Sequence, residues 1–114
     1  MGYRISYKGV TVVFSGDMDA SAIPNLEKLA KDANLLIFNC AVLDPPGSPE
    51  QLYELHTPPK KIGEAAKAAG VKSLLLSHTA PDVESRETAV RASIRANFSG
   101  PVAFATDRLK VPVR

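Results

Sequence analysis

Thr11-Val12-Val13-Phe14-Ser15-Gly16-Asp17 runs from a buried-strand pattern straight into a turn. Val12, Val13 and Phe14 carry the β preference, and Gly16 lets the backbone turn where a Cβ would clash. Asp17 is then held at the carboxyl end of a strand, the edge where open α/β sheets build their sites. A second stretch, Ser73 to Ser77, ends the same way and delivers His78. Read locally, two alternatives stand. Asp17 and His78 are metal-capable side chains on one sheet edge, or Asp17 caps a turn and His78 is an ordinary loop residue.

Working outward, Tyr3 to Tyr7 alternates around Ile5, Lys8-Gly9 suits a tight turn, and Val10 to Phe14 returns, so a hairpin opens the chain. Downstream, Asp19 or Ser21 is a candidate cap and Pro24 an early helical proline. Ile23, Leu26, Leu29 and Ala30 then recur at helical spacing, and the helix is expected to reach about Lys31 before Asp32-Ala33-Asn34 ends it. Leu35 to Phe38 is a continuous apolar run, the pattern of a strand covered on both faces. Ala41 to Pro59 carries Pro45, Pro46, Gly47, Pro49, Pro58 and Pro59, which forbid regular ladders across it. Glu50 to Leu55 has room for one or two helical turns, and so long an excursion is expected to be a lid or binding loop, ending at His56-Thr57.

Thr57-Pro58-Pro59 resembles a helix start with Thr57 as cap. Ile62, Ala65, Ala66 and Ala69 form its apolar face and Gly70 closes it. A strand follows over Val71 to Leu76, then a third helix over about Val83 to Asn97, broken by Ser99-Gly100-Pro101. Val102 to Ala105 and Leu109 to Val113 read as two final strands. Strands alternating with helices argue for an α/β layer architecture.

The 114 residues fit one small domain, 1–114, and 45% hydrophobic content suffices for one core. Net charge is +2, with 14 basic side chains scattered among 12 acidic ones, so there is no nucleic-acid footprint. Cys40 is the single cysteine and sits among Ile37, Phe38, Ala41 and Val42. It is expected to be a buried free thiol, as in a reducing compartment. No stretch has the pattern of a signal peptide or a membrane span, and the expected location is the cytoplasm.

Asp17, His56 and His78 stand out as candidate site residues. Carboxylate and imidazole together suit zinc, manganese or iron. Asp17 with His78 is only two ligands, against the three protein ligands usual at catalytic zinc; His56 is a possible third. No glycine-rich phosphate loop and no zinc-finger cysteine pattern is present. A serine triad could be drawn from Ser15 or Ser77, but nothing places its members. Asp44 and Asp107 read as turn residues.

Ser15-Gly16-Asp17 after an apolar strand resembles the metal-binding aspartate motif of the metallo-beta-lactamase superfamily, with Met18 in place of the usual threonine. Ala33-Asn34-Leu35-Leu36-Ile37, His56-Thr57 before Pro58, the later Gly63, Ala66 and Ala69-Gly70-Val71, and Leu74-Leu75-Leu76-Ser77-His78 match that superfamily's ribonuclease Z-like branch in order and spacing. Asn39-Cys40 departs from the branch's common His-Glu pair. The resemblance implies that Asp17 bridges two metal ions, zinc or manganese, and that His78 is a final ligand. It further implies that His56 contacts the substrate phosphate or donates a proton to the leaving group. The superfamily's His-X-His-X-Asp-His loop is absent, because the chain's only histidines are His56 and His78. The chain therefore resembles the C-terminal half alone of a four-layer αββα sandwich. That implies one mostly buried mixed sheet with helices on one face and an apolar opposite face. It is expected to be a truncated or stand-alone half of a metal-dependent hydrolase of phosphodiesters or related esters, inactive by itself. The expected partner is a separately encoded N-terminal half or a second copy. The alternative is a non-enzymatic homodimeric interaction module using the exposed sheet face.

Overall fold

The computed structural model of the chain describes residues 2–16, 20–45, 47–54, 56–77 and 79–105. One five-stranded sheet organises them, in the order β1-β2-β3-β4-β5. The strands are β1 (Tyr3–Tyr7), β2 (Val10–Phe14), β3 (Leu35–Asn39), β4 (Ser73–Ser77) and β5 (Val102–Phe104). β1 and β2 form an antiparallel hairpin, and every later pairing is parallel. The hairpin turn is Lys8-Gly9, with φ of 50° and 79°. Positive φ at both central residues matches the twist of the flanking strands, and glycine adopts it without a Cβ penalty.

Helices make the parallel crossovers: α1 (Ile23–Leu29), α2 (Pro59–Ala69), α3 (Pro81–Glu84) and α4 (Glu87–Arg95). Short 3-10 turns cover Ala20–Ala22 and Glu50–Glu54. The pleat sorts side chains between two faces. Val13, Leu36, Phe38, Leu74, Leu76, Val102 and Phe104 face the helices and are buried with Leu26, Ile62, Ala66, Val83, Val90 and Ile94 in one core cluster. The mixed sheet with helices on one face is the expected α/β architecture.

The opposite face is different. In register, Tyr3, Phe14, Ile37, Leu75 and Ala103 form one row across all five strands, with no charge in it. Ile5 and Val12 continue the patch beside them. Tyr3 is 60% exposed and Ile5 56%. Ile37 and Leu75 are half-buried. The expected cover on both faces of the apolar runs is thus supplied by the described residues on the helix side alone. β1 is exposed along its whole length, so the sheet is less buried than expected.

Local boundaries depart from the sequence reading for identifiable reasons. α1 stops at Leu29, short of Lys31. Asp32 adopts φ 58°, its N–H donates to Ala69 O at 2.8 Å, and Arg4 Nη1 donates to the carbonyls of Leu29 and Lys31 at 2.7 and 3.2 Å. The Arg4 bonds satisfy carbonyls that another helical turn would have used, and the Asp32 N–H is committed to α2. The N-cap position of α1 is Ala22 rather than Ser21. The single helix expected over Val83–Asn97 is two, broken at Ser85-Arg86. Ser85 Oγ donates back to Asp82 O at 3.0 Å, the local bond through which serine competes with helix. Gly70 closes α2 as expected, at φ 74° with its N–H on Ala66 O and Lys67 O. Asp19 as a cap and the strand over Leu109–Val113 lie outside the described residues.

Candidate functional site

Because β2, β3 and β4 are parallel, their carboxyl ends meet on one edge. Ser15, just past β2, is fully buried, and its N–H donates to Ile37 O at 2.9 Å. Its hydroxyl accepts from Asn39 N–H at 3.2 Å and donates to Gly16 O at 2.8 Å. Asn39 Oδ1 in turn accepts from Ser77 Oγ at 2.9 Å, and Cys40 N–H donates to Ser77 O at 3.0 Å. Three strand ends are thereby laced together one residue before His78 and two before Asp17. Gly16, at φ 67°, takes the sharp turn that its place in the sequence demands. Asp17 and His78 themselves lie outside the described residues.

His56 is described. It sits half-buried after the 3-10 turn, its N–H donating to Leu52 O at 3.0 Å, with Nδ1 shielded from solvent. Thr57 beside it is fully buried. Thr57 is the expected cap of α2, but the N-cap position is Pro58, which offers no side-chain bond. The cap comes from Asp44, whose Oδ1 accepts from Lys60 N–H at 2.9 Å. Asp44 Oδ2 also accepts a short hydrogen bond from Ser93 Oγ on α4. Its carboxylate therefore does more than turn the chain. Nothing local marks this role, since Lys60 and Ser93 lie 16 and 49 residues away. Tyr53 OH donates to Leu43 O at 2.5 Å and Leu43 N–H to Ser48 Oγ at 2.9 Å. The proline-rich segment is therefore tied within itself through Leu43 and to α2 and α4 through Asp44.

Cys40 is fully buried, as expected of a structural thiol. Burial, and then the Asp44 carboxylate, push its pKa from 9.0 to about 12. It is no nucleophile at neutral pH, because the thiolate is the reactive form. Among the described residues no three His, Cys, Asp or Glu side chains gather as a metal cluster, and no helix is long and apolar enough to cross a membrane.

The architecture can be set beside solved folds. The metallo-beta-lactamase fold protein YhfI from Bacillus subtilis superposes with a TM-score of 0.74 at 28% identity, over 92% of this chain and 41% of that one. This chain has the fold of a metallo-beta-lactamase-like fragment. Human tRNase Z, short form, agrees in fold, with a TM-score of 0.69 at 20% identity over 99% of this chain and 38% of that one. In sequence, the chain is 29% identical over 119 aligned positions to a ribonuclease Z of Mycobacterium avium, covering 99% of this chain. The resemblance to the ribonuclease Z-like branch therefore extends over nearly the whole chain. The chain spans 42% of that relative's length, consistent with a C-terminal half. No model of a protein family matches it.

Proposed function

We propose that this chain is the C-terminal half of a metal-dependent hydrolase of phosphodiesters or related esters, inactive until a second half completes its site. The observation that carries the reading is the laced edge: Gly16 and Ser77, the described neighbours of Asp17 and His78, are tied through Ser15 and Asn39. In this reading Asp17 and His78 would hold the metal, zinc or manganese, through carboxylate and imidazole donors. Their donor chemistry suits these metals, but with His56 they number at most three, too few for two ions, so the set fits only as part of a shared centre. The metal, when bound, supplies charge stabilisation and an activated water. His56 orients the substrate phosphate or gives its proton to the leaving group. Its fixed place beside the buried Thr57 limits the entropy lost on forming that contact. The uncharged row from Tyr3 to Ala103 receives the partner's sheet, about 10 Å away, as two sheets pack in a sandwich. The lone buried thiol of Cys40 suits a cytoplasmic setting.

Elemental analysis joined to native mass measurement tests this. The chain is measured alone and after co-expression with a metallo-beta-lactamase N-terminal half bearing the His-X-His-X-Asp-His loop. About two zinc or manganese ions per heterodimer are expected, with hydrolysis of bis(p-nitrophenyl) phosphate lost in Asp17→Ala and His78→Ala. Metal content near zero in the unchelated complex sinks the proposal. A metal-free homodimer of the chain would establish the interaction-module reading in its place.

A further inference from the structure

The role given to His56 requires something to hold the residue still, and the segment carrying it has no regular ladder. Proline at positions 58 and 59 leaves α2 without two of its first backbone donors, and Pro58 offers no side-chain cap. The first amide with a proton, Lys60 N–H, is met by Asp44 Oδ1. The same carboxylate takes Ser93 Oγ with its other oxygen. Asp44 thus spans the start of α2 and the flank of α4. A carboxylate at the N-terminal end of α2 also meets the positive end of that helix's dipole. Upstream, Leu43 is bound to Tyr53 across the 3-10 turn that leads into His56. His56 therefore lies on a short span anchored at both ends by adjacent residues, Leu43 and Asp44.

We infer that Asp44 is the positioning residue for His56: its carboxylate fixes where α2 begins and thereby where the imidazole four residues before Lys60 is held. This rests on the role proposed for His56, but it is a statement about geometry within this chain, and it is read without metal or substrate. Charge is not what the clamp requires. An amide at the same place keeps one carbonyl oxygen for Lys60 N–H and can donate its NH2 to Ser93 Oγ.

The chain has two histidines, so two-dimensional NMR of the imidazole carbons gives two ring signals, assigned by His56→Gln. In Asp44→Ala the His56 signal is expected to shift or split, with the His78 signal as internal reference. Hydrogen exchange at the Lys60 amide should quicken about five- to tenfold, the size of a lost N-cap. Asp44→Asn should restore both. The inference is overturned if the Lys60 amide loses protection in Asp44→Ala while the His56 ring signal stays put, since Asp44 then caps a helix without setting the imidazole. Should Asp44→Ala fail to fold, Ser93→Ala frees the Asp44 carboxylate from α4 and is read in the same way: a His56 signal that stays put while the Lys60 amide loses protection again overturns it. Failure here leaves the metal measurement intact. Failure of the metal measurement likewise leaves this readout standing.

Discussion

Gly63 offers the sharpest test of the packing, because two principles predict opposite signs for Gly63→Ala. In a solvent-exposed helix, alanine in place of glycine stabilises by about 1 kcal/mol. Gly63 sits in the middle of α2, where that gain would apply. It also lies against α4: a Cβ there would stand 2.5 Å from Ile94 O, 3.0 Å from Ile94 Cα and 3.1 Å from Ile94 C. An ordinary carbon–oxygen approach is about 3.3 Å or more, so the helices would have to part by roughly 0.8 Å. All three atoms belong to the backbone, so no rotamer change relieves the clash. Overpacking of this kind costs about 1–3 kcal/mol, and the lack of relief places it near about 3. Subtracting the propensity gain of about 1 kcal/mol leaves a net loss of about 2 kcal/mol. In a domain of this size that lowers the melting temperature by about 8 °C and the urea midpoint by about 1.3 M for a slope near 1.5 kcal/mol per molar. Circular dichroism on heating and urea titration at constant slope measure both. Ile94→Ala in the same chain gives no rescue, since the clash is not with the side chain, and its cavity adds a further loss of about 2–5 kcal/mol. A Gly63→Ala chain as stable as the parent, or more so, refutes the close approach of α2 and α4.

Two further outcomes follow from burial and from the open face. Cys40, with its pKa at about 12 when folded against an ordinary 9.0, should resist thiol reagents at pH 8 until denaturant is added. Between those two values the unfolded chain loses its proton first, so stability should fall as pH rises, by at most about 1.4 kcal/mol per pH unit, and Cys40→Ala should remove that part of the slope; equal slopes in the two chains contradict the shift. On the open sheet face, Ile37→Asp and Leu75→Asp place charge at the centre of the uncharged row. Each also removes a half-buried aliphatic side chain, so the chain's own stability should fall by about 1–3 kcal/mol, leaving it folded by circular dichroism while sheet-to-sheet association is lost in sedimentation; retained association in the folded variant would place the partner elsewhere.

Periodicity carried most of the architecture. The hairpin around Lys8-Gly9, the strand cores around Leu36 and Leu74, and the glycine stop at Gly70 rest on rules whose partners are a few residues apart. The boundaries that moved did so under longer reach. Arg4, from β1, takes the carbonyls that another turn of α1 would have used. Ser85 breaks a pattern that hydrophobic spacing alone runs through, because its hydroxyl competes for a helix carbonyl. At the site, Ser15 and Gly16 were legible as a strand-to-turn motif. The bonds that lace Ser15 to Asn39 and Asn39 to Ser77 join residues 24 and 38 apart and leave no local trace.

Returning to Thr11–Gly16, the sequence by itself determined that an apolar strand ends in a sharp glycine turn before a carboxylate, and that the donors for a metal are few. Alternation and chain stiffness act over neighbouring residues, so they can be read there. Only the tertiary structure decided which sheet face is covered and which is open, because register across five strands selects Tyr3, Phe14, Ile37, Leu75 and Ala103 as one surface. It also decided that Asp44 holds two helices: a carboxylate has no preferred partner until folding brings Lys60 N–H and Ser93 Oγ within hydrogen-bonding reach.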